Sequence, residues 1–113
     1  MSQITTHVLD TTAGKPAAGI TIVLFQQHNG DEWKELATGI TNGDGRIPDL
    51  LANDLVLPFG IYKLKFEIKE YFDQQMTAAF YPYIEVVFEI KTLKHYHVPL
   101  LLSPFGYSTY RGS

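Results

Sequence analysis

The chain contains no cysteine, and none of its apolar runs approaches the roughly 20 residues that a membrane-spanning helix requires. The missing thiols exclude disulfides, thiolate nucleophiles and thiolate-bound metals together, and leave the redox compartment open. Positive charge is also short. Nine lysines and arginines against twelve acidic residues leave a formal charge of −3, with no basic stripe for a phosphate backbone and no polybasic stretch for a lipid surface. The segment from Met1 to Leu9 carries Ser2, Gln3, Thr5, Thr6 and His7, which is not the apolar core of a secretory signal. Tyr110-Arg111-Gly112-Ser113 at the other end is not a peroxisomal address. The expected location is the cytoplasm, or the periplasm if a leader preceded Met1.

What is present suits one small folded unit over residues 1–113. Hydrophobic residues make up 45% of the chain, enough for a core without covalent staples. The strongest periodic signal runs from Ile61 to Lys69, where Tyr62, Leu64, Phe66 and Ile68 alternate with Lys63, Lys65, Glu67 and Lys69. A period of two with one wet face predicts a strand. Ile84 to Ile90 repeats the pattern. Glu70 to Ala79 between them lacks alternation and holds helix formers, which predicts one short helix. Ile20 to Gln26 is a β-branched strand, and Trp33 to Thr41 follows a hairpin-like break at His28-Asn29-Gly30-Asp31. Asn42-Gly43-Asp44-Gly45 supplies a further tight connection that delivers Arg46. Gln3 to Asp10, His95 to Ser103 and a short Tyr107 to Arg111 complete seven or eight strands, the pattern of an all-β two-sheet sandwich. Pro99 argues against a regular central strand around it, because proline has no N–H for the ladder.

The same alternation locates the candidate chemistry. Tyr96, Val98, Leu100 and Leu102 form an apolar row, so His95, His97, Pro99 and Leu101 point the other way. Ile4, Thr6 and Val8 share one side of the first strand, and Thr5, His7 and Leu9 the other. If these two strands lie in one sheet, His7 and His97 project from its outer face, free to move protons near neutral pH. Leu9 and Leu101 make that face apolar enough to mark a subunit contact or an adjoining cleft. Arg46 presents a rigid fork of donors suited to imides and developing oxyanions. Taken singly, each residue has a plain alternative as a solvated side chain. His95 and His97 also form an H-x-H pair, but no third ligand stands at a telling spacing for a metal. Asn42 to Arg46 fails as a calcium loop, since an arginine holds the fifth position. His28 reads as an inert hairpin residue and Trp33 as core or strand packing. The tail Tyr107 to Ser113 has the composition of an ordered strand rather than a frayed end.

Four segments together resemble the 5-hydroxyisourate hydrolases, the transthyretin-related proteins. They are Thr5-Thr6-His7-Val8-Leu9-Asp10 with Gly14-Lys15-Pro16-Ala17, then Gly45-Arg46-Ile47, then His95 through Pro104, and finally Tyr107 through Ser113 with its terminal Tyr-Arg-Gly-Ser. The resemblance implies a prealbumin/transthyretin-like β-sandwich of two four-stranded sheets with one short helix. It implies a homotetramer, a dimer of dimers, with sites in clefts between dimers. The implied reaction opens the N1–C6 amide of 5-hydroxyisourate in urate degradation, giving 2-oxo-4-hydroxy-4-carboxy-5-ureidoimidazoline, with no cofactor and no metal. It implies catalytic roles for His7, Arg46, His97 and Ser113, and substrate contacts from His7, Arg46 and Tyr110. A small-ligand carrier using the same channel, and an adhesive sandwich with no small-molecule site, are the competing readings.

Overall fold

The computed structural model describes residues 2–112. Alternation becomes strand wherever it was strongest. The elements are β1 (Ile4–Asp10), β2 (Lys15–Pro16), β3 (Thr21–His28), β4 (Glu32–Ile40), β5 (Gly60–Glu67), α1 (Lys69–Gln74), β6 (Ile84–Ile90), β7 (Tyr96–Ser103) and β8 (Gly106–Thr109). They form two four-stranded sheets, ordered β2-β1-β7-β8 and β4-β3-β5-β6. The second sheet is antiparallel throughout and is built from sequence neighbours and near neighbours. The first depends on a long-range parallel pairing of β1 with β7, in which Thr5 stands opposite His97 and His7 opposite Pro99.

The core lies between the sheets. Ile4, Val8, Val98, Leu100 and Leu102 of one sheet face Ile22, Leu24, Tyr62, Leu64, Phe66, Ile84 and Ile90 of the other. Each such side chain contributes roughly 1.5–3 kcal/mol on burial. Trp33 stays out of this core. It lies on the outer face of the second sheet with the Lys63 ammonium 4.3 Å above its ring, and Lys63 also pairs with Glu85 at 3.0 Å.

Two local expectations needed correction. The helix ends at Gln74 rather than near Ala79, because Met76 takes a left-handed φ of 52° and the Thr77 amide turns back to the Phe72 carbonyl. Phe72 is the buried residue of α1, so one and a half turns suffice to seat it. Pro99 does lie in a central strand, paired on one side with β1 and flanked on the other by β8. The β7–β8 ladder accommodates it by opening. Leu100 pairs with Thr109, and three residues further on in the same register His97 bridges Gly112, while Val98-Pro99 and Tyr110-Arg111 between them are not laddered. The Thr109 hydroxyl donates to the Pro99 carbonyl at 2.7 Å. Proline's missing N–H thus costs one rung and frees Tyr110 from the sheet edge.

The helix is tied to the first sheet by one buried polar contact. The Tyr71 hydroxyl donates to Asp10 Oδ2 at 2.6 Å, and Asp10 Oδ1 accepts from the Thr12 and Ala13 amides. Asp10 is only 2% exposed. Burial, reinforced by this bond, pushes the Tyr71 phenol up to about 12. Tyr71→Phe leaves a carboxylate oxygen buried without its donor, and a destabilisation of about 1.5–3 kcal/mol is expected in urea unfolding. A change under 0.5 kcal/mol would show that this contact does not hold the helix.

Candidate active site

Three pieces of backbone geometry deliver the site residues to one outer face. The first is the β1–β7 register. It sets Thr5 and His7 on the same side of the sheet as His95 and His97, because the alternate positions Ile4, Thr6, Val8, Tyr96 and Val98 are buried on the inner side. Both strands do lie in one sheet, as the outer-face placement of His7 and His97 required.

The second is the turn before Arg46. Asn42 Oδ1 accepts from the Asp44 and Arg46 amides, and the Asn42 carbonyl accepts from the Gly45 amide. Gly45 has φ +74° and is pressed onto β1 so closely that a Cβ would collide with the Val8 carbonyl oxygen. Only glycine serves there. The Val8 amide donates to the Gly45 carbonyl at 2.9 Å, and Arg46 forms an antiparallel bridge with His7. The arginine is therefore fixed beside the histidine strand.

The third is the tail. The Gly112 amide donates to the His97 carbonyl at 2.8 Å, and a Cβ on Gly112 would stand 2.5 Å from His97 Cδ2. The final segment can lie flat on the imidazole because it has no side chain at that point.

The result is a cleft of about 450 Å³ walled by Thr5, Thr6, Arg46, Ile47, Pro48, His95, His97, Tyr110 and Gly112. Of the residues expected from sequence, Arg46, His97 and Tyr110 line it. His7 does not wall the cleft but sits beside it, two residues along β1 from Thr5 and bridged to Arg46. Ser113 lies outside the described residues. Thr5 and Gly112 were not anticipated as site residues, and His95 was anticipated only as half of a metal pair. No cluster of three or more potential metal ligands occurs among the described residues. Thr5 Oγ1 is 2.7 Å from His95 Nε2 and 2.7 Å from His97 Nδ1, and the two rings stack with centroids 6.2 Å apart. Thr5 shares the outer-face alternation with His7, which was visible, but its position opposite His97 follows only from the register.

The electrostatics favour neutral imidazoles. Partial burial lowers His97 from its ordinary value of 6.5, and the Arg46 guanidinium, then His95 and His7, add to the effect. Burial and then Arg46 lower His7 likewise, partly offset by a hydrogen bond from its ring to the Asp44 backbone. Two half-buried histidines biased toward the neutral form beside an exposed guanidinium can accept protons from water, and the guanidinium can steady a developing negative charge.

The architecture and this cleft define a class: an eight-stranded sandwich with parallel β1–β7 pairing and a histidine–arginine site on one outer face. The chain belongs to the HIUase/Transthyretin family, whose family model matches residues 4–112. A mouse (Mus musculus) protein named 5-hydroxyisourate hydrolase is 49% identical, over 99% of this chain and 96% of its own length. Among solved structures, Klebsiella pneumoniae 5-hydroxyisourate hydrolase superposes with a TM-score of 0.85 at 35% identity, covering 97% of this chain and 98% of that one. Sea bream transthyretin, solved in complex with thyroxine, superposes with a TM-score of 0.91 at 32% identity, covering 98% and 95%. The same backbone thus serves named 5-hydroxyisourate hydrolases and a transthyretin solved with thyroxine, so what sets the chemistry lies in the side chains of the cleft.

Nuclear magnetic resonance titration is expected to place both His7 and His97 below 6.5, and Arg46→Gln to raise both midpoints. The sign for stability follows from linkage. Folding depresses these basic groups, so the unfolded chain takes up protons first. Their contribution is fully present above pH 6.5 and is lost as pH falls through the folded midpoints. Midpoints above 6.5 would show that Arg46 and burial do not govern these rings.

Proposed function

We propose that this protein hydrolyses 5-hydroxyisourate at its N1–C6 amide, giving 2-oxo-4-hydroxy-4-carboxy-5-ureidoimidazoline without a metal or cofactor. The observation that carries the reading is the convergence of His97, Arg46 and Tyr110 on one cleft, with His7 at its edge, in a chain 49% identical to a named hydrolase of that substrate.

His97 lines the cleft with Nδ1 engaged by Thr5, which leaves Nε2 for water. In this reading the neutral Nε2 takes a proton as the water oxygen bonds to the C6 carbonyl carbon. The carbonyl π electrons move onto oxygen, where the Arg46 guanidinium meets the negative charge. Collapse of this intermediate breaks the C6–N1 bond, the leaving nitrogen takes the proton from the histidine, and C6 is left as a carboxylic acid that releases its remaining proton to solvent. His7, bridged to Arg46, positions the water or the leaving nitrogen. Tyr110, released from the ladder opposite Pro99, contacts the substrate ring, and Ser113 takes part through its hydroxyl or terminal carboxylate. The working form is a homotetramer, a dimer of dimers, to which Leu9 and Leu101 on the same outer face lend apolar contact area.

The alternative is a carrier for an apolar ligand, favoured by the TM-score of 0.91 to sea bream transthyretin. The cleft opposes it. An apolar guest would strip water from a guanidinium and two imidazoles without pairing them, at a cost of several kcal/mol.

Freshly generated 5-hydroxyisourate should disappear faster in proportion to added protein. His97→Ala should lose about 10²–10⁴-fold in kcat. Arg46→Ala should lose about 10²–10³-fold, the usual cost of an oxyanion donor. Decay kinetics independent of protein concentration would refute the hydrolase, and saturable thyroxine binding in their place would establish the carrier.

A further inference from the structure

The least expected feature of the cleft is one threonine oxygen held between two histidine rings. A hydroxyl owns a single proton and two lone pairs, and a neutral imidazole carries its proton on one nitrogen only. Thr5 therefore cannot donate to both His95 Nε2 and His97 Nδ1, each 2.7 Å away. If one ring accepts from the hydroxyl, the other must donate to it, so the two tautomers are set as a pair. In one arrangement His97 Nδ1–H donates to Thr5, Thr5 donates to His95 Nε2, and His97 Nε2 is bare. In the other, His95 Nε2–H donates to Thr5, Thr5 donates to His97 Nδ1, and His97 Nε2 bears a hydrogen. Two short proton shifts through Thr5 lead from the first to the second once His97 Nε2 has gained a proton and His95 Nδ1 has released one.

We propose that Thr5 is a positioning residue that couples His97 to His95, so that the positive charge created when His97 accepts a proton comes to rest on His95. The inference rests on the reading of His97 as the base. Its proton balance closes. Water gives a proton to His97 Nε2, the hydrogen on His97 Nδ1 passes to Thr5 Oγ1, and the hydroxyl's own proton passes to His95 Nε2. His97 ends neutral, Thr5 ends with one proton, and His95, already bearing hydrogen on Nδ1, becomes the imidazolium. The hydroxide equivalent is in the new C6–O bond. When the leaving nitrogen takes the proton from His97 Nε2, the two shifts through Thr5 run backwards and restore the starting state.

The placement gives this transfer a driving force. Arg46 is bridged to His7, which stands opposite Pro99, so His97 lies two residues along β7 from that point and His95 lies four. At about 3.3 Å per residue, the second ring is displaced roughly 6–7 Å farther along the strand direction from the level of that anchor. A cation is repelled less there. The titratable groups at the cleft, among the described residues, are Arg46, His95, His97 and Tyr110 in its wall and His7 beside it. Asp44 is the carboxylate that acts on this group among the described residues, and it bears on His7 rather than on His97. Burial and Arg46 both work against a charged His97 and outweigh the hydrogen bond from its ring to the Thr5 backbone.

The test uses the full chain with Thr5→Val, which keeps the β-branched shape on β1, and Thr5→Ser, which keeps the hydroxyl. With 5-hydroxyisourate as substrate, Thr5→Val should lower kcat by about tenfold or more, short of the 10²–10⁴-fold of a lost base, with KM nearly unchanged. Its acidic limb should move to lower pH, because His97 alone is a weaker base than the coupled pair. Thr5→Ser should restore both to within a few-fold. A folded Thr5→Val protein with wild-type kcat and an unmoved limb overturns the proposal, as does a Thr5→Ser protein no better than Thr5→Val. Histidine ¹⁵N resonances decide the coupling without turnover. Complementary protonation of His95 Nε2 and His97 Nδ1 in the wild type, lost in Thr5→Val, supports it. Independent titration in the wild type overturns it. A protein that shows the coupling yet leaves 5-hydroxyisourate untouched would refute the hydrolase reading and not the relay.

Discussion

The parallel pairing of β1 with β7 is the constraint from which the cleft follows. It joins segments some ninety residues apart in sequence and is closed at both ends by backbone bonds, Tyr96 to the Gln3 carbonyl and Thr11 to the Leu102 carbonyl, each 2.8 Å. A buried bond from the Thr6 hydroxyl to the Val98 carbonyl, 2.7 Å, fastens the middle. A slip of one residue would carry His7 and Thr5 into the core and expel Ile4 and Val8, so the apolar inner rows hold the register against any odd slip. The polar outer face gains its geometry from this core. It contributes nothing to choosing the register, yet it is fixed to within a hydrogen-bond length by it.

Two further segments approach that face, and each does so through a residue that removes something. Gly45 lacks the Cβ that would strike the Val8 carbonyl, and Gly112 lacks the Cβ that would strike the His97 ring. Pro99 lacks the N–H that would have zipped Tyr110 into the ladder. Tyr110 stays 58% exposed in the wall of the cleft as a result. Strand propensity alone would have produced a flatter, fully paired edge. The cleft exists because the ladder is interrupted at chosen rungs, a cost that a larger apolar core can carry.

This division also explains what could be read from residues alone. Period-two alternation is a property of single segments, so the strands, their inner faces and the outward projection of His7 and His97 were legible before any coordinates. The sandwich followed, since two faces of that kind must cover one another. The end of the helix at Gln74 was not legible, because it depends on Met76 adopting a left-handed turn to bring the chain back to β6. Nor was the role of Pro99, whose effect as a rung-breaker needs a neighbour on that side. Thr5 is the instructive case. Its side of the strand was evident, but its contact with two rings depends on which residue of β7 stands opposite, and no local signal carries that. Short β2 was missed for a similar reason: Lys15-Pro16 pairs only because Leu9 and Asp10 are already in place.

A backbone that superposes on a thyroxine-bound transthyretin and on a hydrolase poses a choice that packing cannot make. The decisive quantity is the free energy of removing the cleft's polar groups from water. Imidazoles and a guanidinium are inexpensive while solvated, and they become useful when a polar, ring-shaped substrate replaces each lost water bond with its own imide edge and developing oxyanion. The same groups are a liability to any guest that offers no acceptors, because their desolvation is then uncompensated. Raising the apolar character of the pocket would ease such binding, but it would require exchanging Arg46, which the Asn42–Gly45 turn holds firmly against β1. The turn therefore commits the fold to polar chemistry before any substrate arrives.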